Sequence, residues 1–145
     1  MIKKSNVKIP NQLYTDIWGY ERDNGQKFAV VGTRQLTLIY NVTDCGNPVQ
    51  VFQHNDSFSS VWRDYKTYGN AIYATADQSP YTQGLQIINM DNYTVTNIST
   101  HFERAHNIFV DTAHARLYVA GSNTCLLYTS PSPRDRTRSR MPSSA

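Results

Sequence analysis

The side chains best suited to chemistry fall in three short segments. Asp16 lies in Thr15-Asp16-Ile17-Trp18-Gly19-Tyr20, Arg63 and Asp64 in Trp62-Arg63-Asp64-Tyr65-Lys66, and His106 and Asn107 in Ala105-His106-Asn107-Ile108. Gathered at one opening, two carboxylates, a guanidinium, an imidazole and an amide would suit an anionic or sugar-like ligand. They would equally suit a hard, calcium-type cation held through oxygen donors. A second reading makes Asp16, Asp64 and His106 the working groups of a hydrolase or metal-dependent enzyme. A third keeps all of them inside the fold, bonded to neighbouring backbone, because an unpaired buried polar group costs about 1–3 kcal/mol. Trp18 and Trp62 divide in the same way between packing and sugar stacking, and packing is the expected use of so large a ring.

No complete catalytic constellation accompanies these residues. His54, His101 and His114 fall in turn-like sequence, without the spacing that sets two imidazoles on one metal. Cys45 and Cys125 are too few for a disulfide framework and lack metal-ligand spacing. There is no Gly-rich phosphate loop and no serine in a nucleophile-elbow pattern. Asn41, Asn55, Asn92 and Asn97 each begin an Asn-x-Ser/Thr sequon, which matters only for an exported chain from a eukaryote.

The elements that must position these residues read as short strands. Phe28-Ala29-Val30-Val31-Gly32, Ile72-Tyr73-Ala74-Thr75-Ala76 and Leu117-Tyr118-Val119-Ala120-Gly121 are similar runs, spaced 44 and then 45 residues apart. Each is preceded by a strand candidate: residues 16–20, 62–66 and 106–110. The first two runs are followed by Leu38-Ile39-Tyr40-Asn41-Val42 and Leu85-Gln86-Ile87-Ile88-Asn89-Met90, which share an apolar-Asn-apolar ending. Outer strands are expected at residues 49–52 and 94–98. Asp23-Asn24-Gly25, Asp44-Cys45-Gly46-Asn47-Pro48, Gly69-Asn70 and Met90-Asp91-Asn92 supply the turn chemistry between them.

Four short strands returning every 40–50 residues or so are the pattern of β-propeller blades. The expected fold is therefore all-β, a propeller fragment of about two and a half four-stranded blades. The blades run over about 14–58, 59–103 and, in part, 104–124, after a lead-in at 1–13. A seven-stranded sandwich is the competing architecture, but it gives no reason for a constant spacing. In propeller order the strands holding Asp16, Arg63-Asp64 and His106-Asn107 are innermost and line a central channel. A last blade ending with unpaired strands would leave the polypeptide marginal and prone to aggregate.

Composition changes sharply at Cys125. Residues 125–145 carry four arginines and three prolines and resemble the translation of a transposase-type sequencing adapter, a non-native, disordered tail. Cys125 to Asp135 corresponds to the fixed part, and Arg136 to Ala145 to an index and adapter end. The whole chain has 14 basic against 11 acidic residues, whereas the portion before Cys125 has ten of each. That portion lacks the concentrated basic face of a nucleic-acid binder, so no nucleic-acid partner is expected. No apolar run approaches the ~18 residues of a membrane helix. Basic Met1-Ile2-Lys3-Lys4 gives way to polar Ser5-Asn6 rather than to the apolar stretch of a secretory signal.

Together, the segments around Asp16, Arg63-Asp64 and His106, with Asn41-Val42-Thr43-Asp44 and Gly84-Leu85-Gln86-Ile87-Ile88-Asn89, resemble the choice-of-anchor B family of Leu-Val-Ile-Val-Asp repeat proteins. The resemblance covers roughly residues 5–124 and extends to Gly121-Ser122-Asn123-Thr124, after which the family often has a cysteine. Asn89-Met90 departs from it, standing where the repeat prefers an acidic residue. The resemblance implies a propeller on a secreted or cell-surface protein, joined to a variable anchor, and brings no defined reaction. A noncatalytic module binding a protein or glycan is the function expected from it, with the hydrolase or metal-dependent enzyme as the alternative.

Overall fold

A computed structural model describes residues 3–80 and 82–123. Ten strands and no helix are found among them. The strands are β1 (Tyr14–Glu21), β2 (Lys27–Thr33), β3 (Leu36–Asn41), β4 (Val49–Asn55), β5 (Arg63–Tyr68), β6 (Ala71–Ala76), β7 (Leu85–Asn89), β8 (Val95–Ile98), β9 (Asn107–Asp111) and β10 (Arg116–Ala120). The first sheet has the order β1-β2-β3-β4, the second β5-β6-β7-β8, and β9 pairs with β10 in a third. All pairings are antiparallel.

Local chemistry explains where the chain reverses. After β3 and β7, Asn41 Oδ1 accepts the Thr43 N–H at 2.9 Å and Asn89 Oδ1 accepts the Asp91 N–H at 2.7 Å. Both asparagines thus begin Asx turns, which accounts for the apolar-Asn-apolar signature at each strand end. Asp111 does the same between β9 and β10, accepting from Ala113 and His114.

Alternation along each strand then creates two faces, here called front, toward the next sheet in sequence, and rear, toward the previous one. The front of the first sheet contributes Tyr20, Phe28, Val30 and Ile39 to a core shared with Tyr65, Ile72, Ala74, Ile88 and Met90 of the second-sheet region. A second core joins Leu85 to Ile108 and Leu117, with Phe102 and Ala105 of the preceding connection. Between sheets, the closest approaches involve the first strands, β1 with β5 and β5 with β9, together with β6 and β9. Gly32 of β2 leaves room for Tyr65 of β5: a Cβ there would stand 2.7 Å from the Tyr65 ring, and 2.4 Å from Thr15 Oγ1 of its own sheet. Fully buried Tyr65 crosses that gap, and its hydroxyl lies 2.8 Å from Thr37 Oγ1.

Three sequence expectations are corrected. His54 is in β4 rather than a turn, its ring stacked on Phe52 at 6.5 Å, because the strand runs on to Asn55. Trp62 and His106 stand just before β5 and β9 rather than within them. The 44-residue offset matching Phe28 to Ile72 is also off by one. Ile17 pairs with Val31 and Tyr65 with Ala74, so the counterpart of Ile72 is Ala29. A one-residue slip exchanges the two faces of a strand, and Phe28 accordingly points forward while Ile72 points to the rear. Residues 125–145 lie outside the described residues.

Candidate functional site

The five residues singled out from the sequence fall into two sets. Asp16, Asp64 and Asn107 occupy corresponding places on the first strands of the three sheets. Asp16 Oδ2 accepts the Tyr65 N–H at 3.0 Å, and Asp64 Oδ2 accepts the Ile108 N–H at 2.7 Å. Each carboxylate fastens its own sheet to the first strand of the next. Asp64 Oδ1 also takes a hydrogen bond from the Lys66 ammonium. Asn107, immediately before Ile108, is exposed, and its side chain makes no hydrogen bond among the described residues.

Arg63 points away from Asp64, as strand alternation requires of neighbours within β5, and His106 stands just before β9. Arg63 Nη1 donates to Asp56 Oδ2 at 2.6 Å, its Nη2 donates to the Arg34 carbonyl at 3.1 Å, and the guanidinium lies 5.0 Å over the Phe58 ring. His106 Nδ1 is 3.2 Å from Asp77 Oδ2 on an exposed surface. The structure therefore does not bring the five groups to one opening. Among the described residues, no three His, Cys, Asp or Glu side chains are placed to hold a metal ion.

The two tryptophans also differ. Trp18 spans the first and second sheets, with Nε1 donating to Thr67 Oγ1 at 3.1 Å and the Lys66 ammonium 4.3 Å from its ring centroid. Trp62 is 54% exposed and packs far less than the sequence reading expects.

Two polar groupings escape the sequence reading. Asp56, with a fully buried side chain, takes hydrogen bonds from Arg63 and from Gln86 Nε2 at 3.2 Å, while His54 Nε2 lies 3.6 Å away. Gln86, a polar residue inside the apolar run Leu85-Gln86-Ile87-Ile88, is buried against this cluster. Just above it in the core, burial raises the Tyr65 phenol pKa from its ordinary value of 10.0. The second grouping lines a cavity of about 440 Å³ at the hairpin ends of the first two sheets, formed by Tyr20, Arg22, Asp23, Asn70 and Asp91 among others. There the Tyr20 hydroxyl donates to Asn70 Oδ1 and Arg22 donates to the Met90 carbonyl. Arg22 also lies 5.0 Å over the Phe28 ring, which holds its guanidinium at the cavity wall. Such a wall offers one charged donor, Arg22, with amide groups and carboxylate acceptors, and no nucleophile paired to a base among its lining residues.

Comparison with protein families, with curated proteins and with solved structures finds no match to this chain.

Proposed function

We propose that this chain is a noncatalytic binding module of β-propeller type that takes a glycan or protein ligand at the hairpin ends of its sheets. The propeller reading is supported by face-to-face stacking in sequence order, with the sheets converging on β1, β5 and β9. The resemblance to the choice-of-anchor B family supports a secreted or cell-surface setting. The observation that carries the noncatalytic reading is the use of Asp16 and Asp64. Both carboxylates are committed to backbone amides between sheets, where they are structural acceptors rather than free acids or bases. The cavity bounded by Tyr20, Arg22, Asn70 and Asp91 supplies the ligand contacts instead. Its mixture of donors, acceptors and one aromatic edge matches sugar hydroxyls.

The test uses the full chain on a glycan array, alongside a panel of chromogenic ester, phosphate and glycoside substrates with and without calcium. Saturable glycan binding, weakened by Asp91→Ala and unaccompanied by turnover, is the expected result. A turnover abolished by Asp64→Asn in a folded protein would replace this reading with the enzyme.

A further inference from the structure

We infer that two copies of this chain dock head to tail, the front of the third sheet in one copy covering the rear of the first sheet in the next. The inference stands on the stacking of the sheets and goes beyond the ligand-binding reading. The contact between first and second sheets is built from a first-strand carboxylate, Asp16, bonded to the amide of Tyr65, with apolar side chains beside it. The contact between second and third sheets repeats this with Asp64 and Ile108. Carrying the series one step further gives both halves of a third contact, and both are present and uncovered among the described residues.

The acceptor half lies on the third sheet. Asn107 holds the place of Asp16 and Asp64, and its amide oxygen has the same capacity to accept an N–H. Beside it on the front face, Phe109 is 61% exposed, and its ring contacts that of cross-strand neighbour Tyr118 at 6.2 Å. The donor half lies on the first sheet. Ile17 pairs with Val31 as Tyr65 pairs with Ala74 and Ile108 with Val119, so its N–H holds the place that meets a carboxylate in the other two sheets. The Ile17 side chain is 66% exposed. It lines an apolar groove of about 250 Å³ with Tyr14, Val31, Tyr40, Val7 and Ile9. Val7 and Ile9 flank the groove from the lead-in segment, held there by the Ile9 N–H donating to the Tyr14 hydroxyl at 2.8 Å.

An exposed Phe109 beside half-buried Tyr118 on one face and an apolar groove on the other are complementary but unlike surfaces. Their contact is heterologous, so each copy offers one face and receives the other, and the series continues until it closes into a ring or extends. A second copy is the occupant chosen because the new contact continues the two interfaces already formed within one chain.

Sedimentation of the full chain tests this. The wild type is expected to show a concentration-dependent mass above the 16.5 kDa of one chain. Ile17→Lys and Phe109→Lys should each be monomeric. Mixed together they should form a one-to-one dimer and nothing larger, because each retains the face the other has lost. Either variant remaining associated, or a mixture that stays monomeric, overturns the inference. Asn107→Asp provides a reading that leaves both apolar faces intact. It restores the carboxylate of the series, and the charge-assisted bond should tighten association by about tenfold. Unchanged or weaker association of that variant also overturns it.

Discussion

The carboxylate of Asp64 accepts the backbone N–H of Ile108 at 2.7 Å, across the boundary between the second and third sheets. Asp16 stands in the same relation to Tyr65, at 3.0 Å. A side chain reaching from one strand to the amide of another sheet both satisfies a donor that its own ladder leaves free and sets the distance between the two stacked layers. Asp64→Ala removes that acceptor from a buried contact and should destabilise the chain by about 2–3 kcal/mol. Asp64→Asn keeps an oxygen in place and should cost clearly less. Urea unfolding midpoints of the two variants provide the comparison, and equal losses would speak against the bond.

Asp56 and Arg63 form a pair with almost no exposure, and the pair has one further acceptor in the Arg34 carbonyl. Removing only one partner leaves a buried charge uncompensated, so Asp56→Ala is expected to cost about 3–5 kcal/mol. The double replacement Asp56→Leu with Arg63→Met should recover a substantial part of that loss. A double-mutant cycle in urea measures the recovery, and additivity of the two single effects is the contrary result.

Gly84 and Gly19 should respond oppositely to alanine. Gly84 has φ +68°, and an added Cβ would stand 2.1 Å from the Ile98 carbonyl oxygen and 2.6 Å from that of Phe102. Both obstacles are backbone, which has little freedom to retreat, so Gly84→Ala should be severely destabilising, by about 3 kcal/mol or more. Gly19, inside β1, has no atom within 4 Å of its added Cβ, and Gly19→Ala should be neutral or stabilising by up to about 1 kcal/mol. Thermal melting of the pair distinguishes them.

Alkaline stability should depend on Tyr65. Burial raises its pKa above 10.0, so the folded chain keeps the phenolic proton at pH values where the unfolded chain has released it. The contribution is therefore complete below about pH 10 and is lost as pH rises toward the folded value. Stability measured in urea from pH 9 to 11 should fall more steeply for the wild type than for Tyr65→Phe. Parallel pH dependences would contradict this assignment.

The strands were legible from the sequence because their composition and their turns agree. Val30-Val31, Leu38-Ile39 and Ile87-Ile88 are apolar runs, and Asn41 and Asn89 end them with side-chain bonds to the turn. Register was less legible. Spacing aligns Phe28 with Ile72, but only pairing shows that Ala29 is the counterpart, because the β1–β2 and β5–β6 connections differ in length. The five candidate site residues, Asp16, Arg63, Asp64, His106 and Asn107, were expected together at one opening, although Arg63 and His106 directly precede Asp64 and Asn107 in the chain. Adjacent residues on a strand face opposite ways, which separates Arg63 from Asp64 within β5, whereas His106 precedes β9 and is placed by its approach to Asp77. Asp56 and the cavity lining from Tyr20 to Asp91 were not legible, because their meeting depends on how one sheet lies against another.

Amide hydrogen exchange at Ile108 tests the central claim most directly, that first-strand carboxylates fasten the stacked sheets. In the wild type, the amides of Ile108 and Tyr65 should both be protected, although each belongs to the first strand of its sheet. In Asp64→Ala, Ile108 should lose at least about tenfold in protection while Tyr65, bonded to Asp16, keeps its own. An Ile108 amide that already exchanges in the wild type as fast as a loop amide would contradict the account.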